Sequence, residues 1–235
     1  MSTELLLLDL DDTVYEYEPC NKAGKRAAWK KAKELGYDMD FERFKEIYQE
    51  GNRETKRELA GTASGHERHI YFKKALQFYT GTHRPKHAIQ LSDSFWEGYT
   101  KEMEIFPGVK KTLSKIKEKG IKIAVVTDQI ARIQMNKIEE LGIEEFIDLL
   151  ITSEETGTDK PSSVMFALPI TIMDARRSNT VMMGDNLSRD IAGANSLGIE
   201  SVLFNNEFKD TEQPTWQEPD HEIDEFKEIL EVVES

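Results

Sequence analysis

The sequence predicts an α/β protein: a doubly wound, parallel, Rossmann-like sheet core with an inserted all-α helical domain. Three observations carry this reading. From FPGV at 106–109 onward, apolar runs of strand length alternate with segments of helical period, the order that gives parallel strands joined by right-handed crossovers. Near the N-terminus, four consecutive leucines at 5–8 suit a strand covered on both faces, as in a parallel sheet. Between these parts, from Pro19 to about Met103, apolar residues recur at helical spacing and no strand pattern intervenes. The expected organisation is a core built from residues 1–15 and 105–235, with 16–104 as the helical insertion.

In chain order, residues 4–10 read as a buried strand ended by a polar turn. Burial supports that strand more than propensity, because leucine is no special strand former. Trp29, Ala32 and Leu35 lie on one helical face and stop at Gly36, a natural helix terminator. Phe41, Phe44, Ile47 and Tyr48 mark a second helix. Ile70, Phe72, Ala75, Leu76 and Tyr79 mark a third, and Ile89, Phe95, Trp96, Tyr99 and Met103 a fourth. GTASGH at 61–66 reads as a loop. Beyond Gly108, Val109–Lys119 is a helix closed by Gly120, IKIAVV at 121–126 a strand, and Ile130–Leu141 a helix ending at Gly142. FIDLLIT at 146–152 is a strand. Ser162–Ala175 is a helix that Pro169 should kink or break. TVMMG at 180–184 is a strand, 188–197 a helix, ESVLF at 200–204 a strand, 205–220 a polar loop, and 223–233 a closing acidic helix.

Composition excludes several classes of function. A formal charge of −13 argues against a general nucleic-acid binder, which needs a basic footprint, and against an anionic membrane surface. No apolar run approaches the ~20 residues that span a bilayer. LLLL is too short for a signal-peptide core and lacks basic residues before it. Cys20 is the single cysteine, so neither an intrachain disulfide nor a thiolate metal cluster can form. A cytoplasmic protein is expected, as a monomer or a dimer. Residues 14–104 carry a slight basic excess while the remainder carries the acidity, a division that suits an anionic ligand accompanied by a cation.

Polar residues gather at four expected strand ends: Asp9-Leu10-Asp11-Asp12-Thr13, Thr127-Asp128, Asp159-Lys160-Pro161, and Gly184-Asp185-Asn186 with Asp190 behind. Doubly wound sheets bind ligands outside the carboxyl ends of their strands. Singly, each group has an ordinary explanation as a turn, a cap or a solvated lysine. An EF-hand is excluded, because counting from Asp9 puts Val14 where glycine is required and Cys20 where glutamate is required.

Together, in this order, the four groups resemble the motifs of the haloacid dehalogenase superfamily. DLDDT resembles its DxDxT motif, VVTD at 125–128 the second motif, Lys160 before Pro161 the third, and GDNLSRD at 184–190 the fourth. The helical insertion after the first motif falls where that superfamily carries a cap. Asp9 and Asp11, at i and i+2 of an extended segment, share a face. Two close carboxylates repel, so one should gain a raised pKa. That leaves an ionised nucleophile and a partner able to hold a proton. Mg²⁺ takes oxygen ligands and offsets such repulsion, with Asp9 and Asp185 as the carboxylate pair.

The resemblance implies roles. Asp9 attacks phosphorus. Asp11 serves as acid and base, and its carbonyl touches Mg²⁺. Thr127 and Lys160 hold phosphoryl oxygens, Asp185 ligates the metal, and Asn186 and Asp190 support that region. The residue after Thr127 is often Asn in the superfamily; Asp128 departs from this, and its side chain either faces the site or leaves only its N–H there.

Within the superfamily, the region DLDDTVYEYEPCNKAG is most similar to the group of phosphoglycolate phosphatases and nucleotidases. Hydrolysis of a small phosphorylated metabolite is therefore expected. A phosphomutase is the enzymatic alternative. A haloacid dehalogenase is disfavoured by Asp11, because halide departs without a proton. A non-catalytic binding or regulatory domain should have lost Asp9, Asp11, Lys160 or Asp185, all of which are present. In the insertion, Arg53, Arg57, His66, Arg68 and His69 are the candidates for substrate choice, with Tyr15 and Tyr17 just after the first motif.

Overall fold

The computed structural model describes residues 2–204 and 215–234. The chain divides into two compact units, Met1–Glu16 with Glu104–Ser235, and Tyr17–Met103.

The first unit contains strands β1 (Leu5–Leu8), β2 (Lys122–Thr127), β3 (Leu149–Thr152), β4 (Thr180–Gly184), β5 (Glu200–Phe204) and β6 (His221–Ile223). They form a parallel sheet of order β3-β2-β1-β4-β5-β6. All four leucines of β1 are fully buried, as a central strand covered on both faces requires. Leu5 and Leu7 share one face with Ala124, Val126 and Met182, under Met165 and Phe166. The connecting helices in this unit are α5 (Val109–Glu118), α6 (Ala131–Leu141), α7 (Ser153–Thr156), α8 (Ser163–Ile172), α9 (Ala192–Ser196) and α10 (Ile229–Val233).

The second unit holds α1 (Tyr17–Glu34), α2 (Phe41–Glu58), α3 (Arg68–Thr80) and α4 (Pro85–Thr100). Asp40 caps α2 by accepting the Arg43 N–H at 2.8 Å. Phe44, Tyr48, Phe72 and Phe95 form its aromatic core. Gly51 allows α2 and α3 to approach at backbone distance, since a Cβ there would lie 2.2 Å from the Tyr71 carbonyl oxygen.

Several elements differ from the sequence expectation. α8 runs through Pro169 to Ile172 without breaking, because its Met165 and Phe166 are packed into the core and tertiary burial outweighs one lost hydrogen bond. The helix expected over 188–197 is a π-helical turn, Leu187–Ile191, followed by the short α9. The expected strand over 146–152 is shorter, preceded by a 3₁₀ turn at Glu144–Phe146. The expected loop at 61–66 contains a 3₁₀ turn, Ala63–His66. The closing helix over 223–233 divides into β6, a 3₁₀ turn at Phe226–Glu228 and α10. β6 is too short for a period to register. Of the loop expected over 205–220, residues 205–214 lie outside those described, and Thr215–Gln217 forms a 3₁₀ turn.

Leu7→Ala should cost about 2–5 kcal/mol in chemical denaturation, the usual range for a truncated core leucine. Wild-type stability in that variant would contradict the central burial of β1.

Candidate active site

The site follows from the strand order. β1 lies between β2 and β4, at the point where the winding of the sheet reverses. Leu8 pairs with Val125 on one side and Met183 on the other. The chain therefore delivers Asp9 beside the ends of both neighbours, and its N–H donates to the Met183 carbonyl at 2.9 Å. Thr127 is the last residue of β2, and Asp185 follows β4 directly.

Lys160 ties these ends together. Its Nζ donates to Asp9 Oδ1 and, at 2.6 Å, to Asp190 Oδ1, with all three side chains buried. The Thr13 hydroxyl donates to the other Asp9 oxygen at 3.1 Å. Asp190 reaches this position through the π-helical turn, and its Oδ2 accepts the Asn186 N–H at 3.1 Å. The close approach depends on Gly184, where a Cβ would lie 2.4 Å from the Asp190 carboxyl. Asn186 holds the turn from the other end, its Oδ1 accepting the Ser188 and Arg189 N–H groups at 3.1 Å each.

Asp9, Asp185 and Asp190 offer ligand atoms that all lie within 4.8 Å of one another. Among the described residues Lys160 is the ammonium bonded within this cluster of three carboxylates. Burial, followed by the charges of its acidic neighbours, pushes Asp185 far above the usual carboxylate range. Burial also pushes Asp9 up, against the pull of Lys160. Hard oxygen donors with excess negative charge are the donor set of a divalent cation.

Asp11 sits in a different environment. Its two oxygens accept from Lys137 Nζ at 2.6 and 2.9 Å, and it also accepts from Gln134 Nε2 at 3.3 Å and from the Tyr15 hydroxyl. Burial raises its pKa, but Lys137, Tyr15 and Gln134 outweigh burial and hold it below the ordinary value. Asp9 shares Lys160 with Asp190, whereas Asp11 is gripped by Lys137, so the two carboxylates stand in different electrostatic surroundings.

Thr127 is buried, and its Oγ1 accepts from Gln134 Nε2 at 2.6 Å. The Asp128 side chain bonds its surroundings: Oδ1 accepts the Lys160 backbone N–H at 2.7 Å and Oδ2 accepts Arg189 Nη1 at 2.9 Å. It thereby ties the third and fourth motif segments to the end of β2.

In the helical unit, Arg53 and Arg57 are exposed and paired with Glu50 and Glu54. His69 flanks the start of α3 and bonds Glu67 at 2.8 Å. Arg68 is only 4% exposed. Its guanidinium donates to the His66 carbonyl at 2.6 Å and the Tyr17 hydroxyl at 2.7 Å. It lies 5.1–5.2 Å from the ring centres of Tyr71, Phe95 and Trp96, while its Nε is buried without a hydrogen-bond partner.

A model of haloacid dehalogenase-like hydrolases matches residues 6–204. The chain belongs to this family. This haloacid dehalogenase-like hydrolase is 49% identical to a ribulose-1,5-bisphosphate 5-phosphatase of Halopiger xanaduensis, over 97% of this chain and 98% of that protein. It is 28% identical to a glyceraldehyde 3-phosphate phosphatase of Methanocaldococcus jannaschii, over 98% and 96%. A 2-haloacid dehalogenase of Pseudomonas syringae shares its fold, with a TM-score of 0.76 at 24% identity over 99% and 98% of the two chains. Within the family the chain is a phosphatase-like member. No helix among the described residues is long and apolar enough to cross a membrane.

The structure brings Asp9, Lys160, Asp185 and Asp190 together, and Gln134 links Asp11 to Thr127. The sequence reading missed Gln134, Lys137 and Arg189. A signal for the first two exists: they stand at i and i+3 on the buried stripe that Ile138 and Leu141 continue, where polar residues are out of place.

Asp128→Ala should destabilise the hydrolase by about 1–3 kcal/mol, because it strands the buried Lys160 N–H. Arg189→Ala, which removes a partly exposed partner, should cost under about 1 kcal/mol. Thermal unfolding of both variants checks this asymmetry, and equal losses would contradict it.

Proposed function

We propose that this hydrolase is a magnesium-dependent phosphatase of a small phosphorylated sugar, acting through a phosphoryl group held transiently on Asp9. The observation that carries the reading is the 49% identity, along nearly both full lengths, to a ribulose-1,5-bisphosphate 5-phosphatase. A sugar bisphosphate or a triose phosphate is the substrate class these relatives support.

The residues fit the chemistry. An Asp9 oxygen forms the new bond to phosphorus while the bond to the sugar oxygen breaks, and Asp11 supplies the proton that oxygen needs. Asp11 then takes a proton from the water that cleaves the phosphoryl–Asp9 bond. Lys160 and Thr127 offer an ammonium and a hydroxyl to the equatorial oxygens, where transition-state charge accumulates. Asp9, Asp185 and the Asp11 carbonyl would hold Mg²⁺, with Asp190 orienting Lys160 and Asn186 fixing the turn. When bound, the ion offsets the negative charge of carboxylates and phosphate together. In the helical unit, Arg68 is our candidate for reading an anionic substrate, since a buried guanidinium with an unpartnered Nε suits a negatively charged group better than do Arg53 and Arg57, already paired with glutamates.

Phosphate release from ribulose 1,5-bisphosphate and glyceraldehyde 3-phosphate should require Mg²⁺ and cease with a chelator. Asp9→Asn and Asp185→Ala should each lower the rate by about 10³-fold or more, roughly 4 kcal/mol of barrier. Near-wild-type turnover in Asp9→Asn would overturn the reading.

A further inference from the structure

We propose that Lys137, together with Gln134, is a positioning residue that fixes the carboxylate of Asp11 for proton transfer. The inference rests on the phosphatase reading for its kinetic consequence and on geometry for its structural one.

Lys137 projects from α6, yet its side chain is only 1% exposed. Burying an ammonium carries a desolvation cost of several kcal/mol unless a well-placed counter-charge offsets it. Here that counter-charge is Asp11, gripped through both oxygens at 2.6 and 2.9 Å. The ring of Tyr15, 5.8 Å from Nζ, lies alongside, and the same tyrosine donates its hydroxyl to Asp11.

One turn earlier on α6, Gln134 is fully buried and spans two strand ends. Its Nε2 lies 2.6 Å from Thr127 Oγ1, 3.0 Å from the Asp128 carbonyl and 3.3 Å from Asp11 Oδ2. Residues at i and i+3 share a helix face, so α6 presents both groups as one rigid unit. A carboxylate held by two oxygens cannot rotate freely. The grip therefore sets the direction in which Asp11 offers or accepts a proton, relative to the Thr127 hydroxyl.

The test separates this role from plain support of the fold. Lys137→Met keeps the length of the side chain and removes its charge. In single-turnover transfer to Asp9, the rate from a sugar phosphate, whose leaving oxygen needs a proton, should fall about 100-fold, the scale of a misplaced catalytic group. The rate from p-nitrophenyl phosphate, whose leaving group departs as a stable anion, should change little. KM should hold, and Lys137→Arg should restore part of the loss. Lys137→Gln, also neutral but still able to donate a hydrogen bond, should show the same split between substrates, more weakly, and serves if Lys137→Met does not fold. Equal losses with both substrates, or none, overturn the proposal.

A crystal structure of Lys137→Met supplies a readout independent of turnover. A displaced Asp11 carboxylate supports the proposal, and an unmoved one overturns it. Failure of the wild-type protein to release phosphate from any monoester would sink the phosphatase reading, while the crystal structure would still judge the positioning role.

Discussion

The ammonium of Lys160, buried between Asp9 and Asp190, is the interaction around which the core unit is organised. Burial alone would pull a lysine toward neutrality, but the carboxylates around it hold it charged. Its backbone N–H is fixed by Asp128, which Arg189 engages in turn. Asp190 can reach it because Gly184 has no side chain and because Leu187–Ile191 winds as a π-helical turn, a local irregularity often found at functional sites. Removing Asp9, Lys160 or Asp190 from this buried set strands the others, so these departures from regular structure belong together.

Much of this was legible in the sequence because a parallel sheet gathers the carboxyl ends of its strands along one edge. Four leucines in a row identified a strand covered on both faces, and polar residues at three strand ends marked Asp9, Thr127 and Asp185 without any knowledge of contacts, whereas Lys160, expected at a fourth strand end, lies between α7 and α8. What escaped has a common physical cause. Lys137 and Gln134 lie on a helix, where a lone lysine usually means a solvated face, and their burial depends on partners more than a hundred residues away in the chain for Asp11. β6 escaped because packing on the sheet, and not local propensity, decides it.

Arrangement and ancestry contribute differently to the functional conclusion. The dehalogenase neighbour at 24% identity speaks for the fold alone. The phosphatase relatives align along nearly the whole chain, and in the proposed mechanism Asp11 is the second acid that an oxygen leaving group needs and a halide does not. One carboxylate, Asp9, sits among acids that share an ammonium. The other, Asp11, is gripped through both oxygens by Lys137. The proposed phosphoryl transfer to carboxylate needs a nucleophile near a cation and a separately held acid–base group, and the two settings suit Asp9 and Asp11 respectively.

The most direct measurement is the mass of the intact protein and its Asp9-containing peptide after rapid acid quenching of the Asp11→Asn variant with substrate and Mg²⁺. The expected result is a phosphoryl adduct on Asp9, trapped because its hydrolysis has lost its base. Substrate cleaved with no adduct at any time, or an adduct on another residue, would contradict the account.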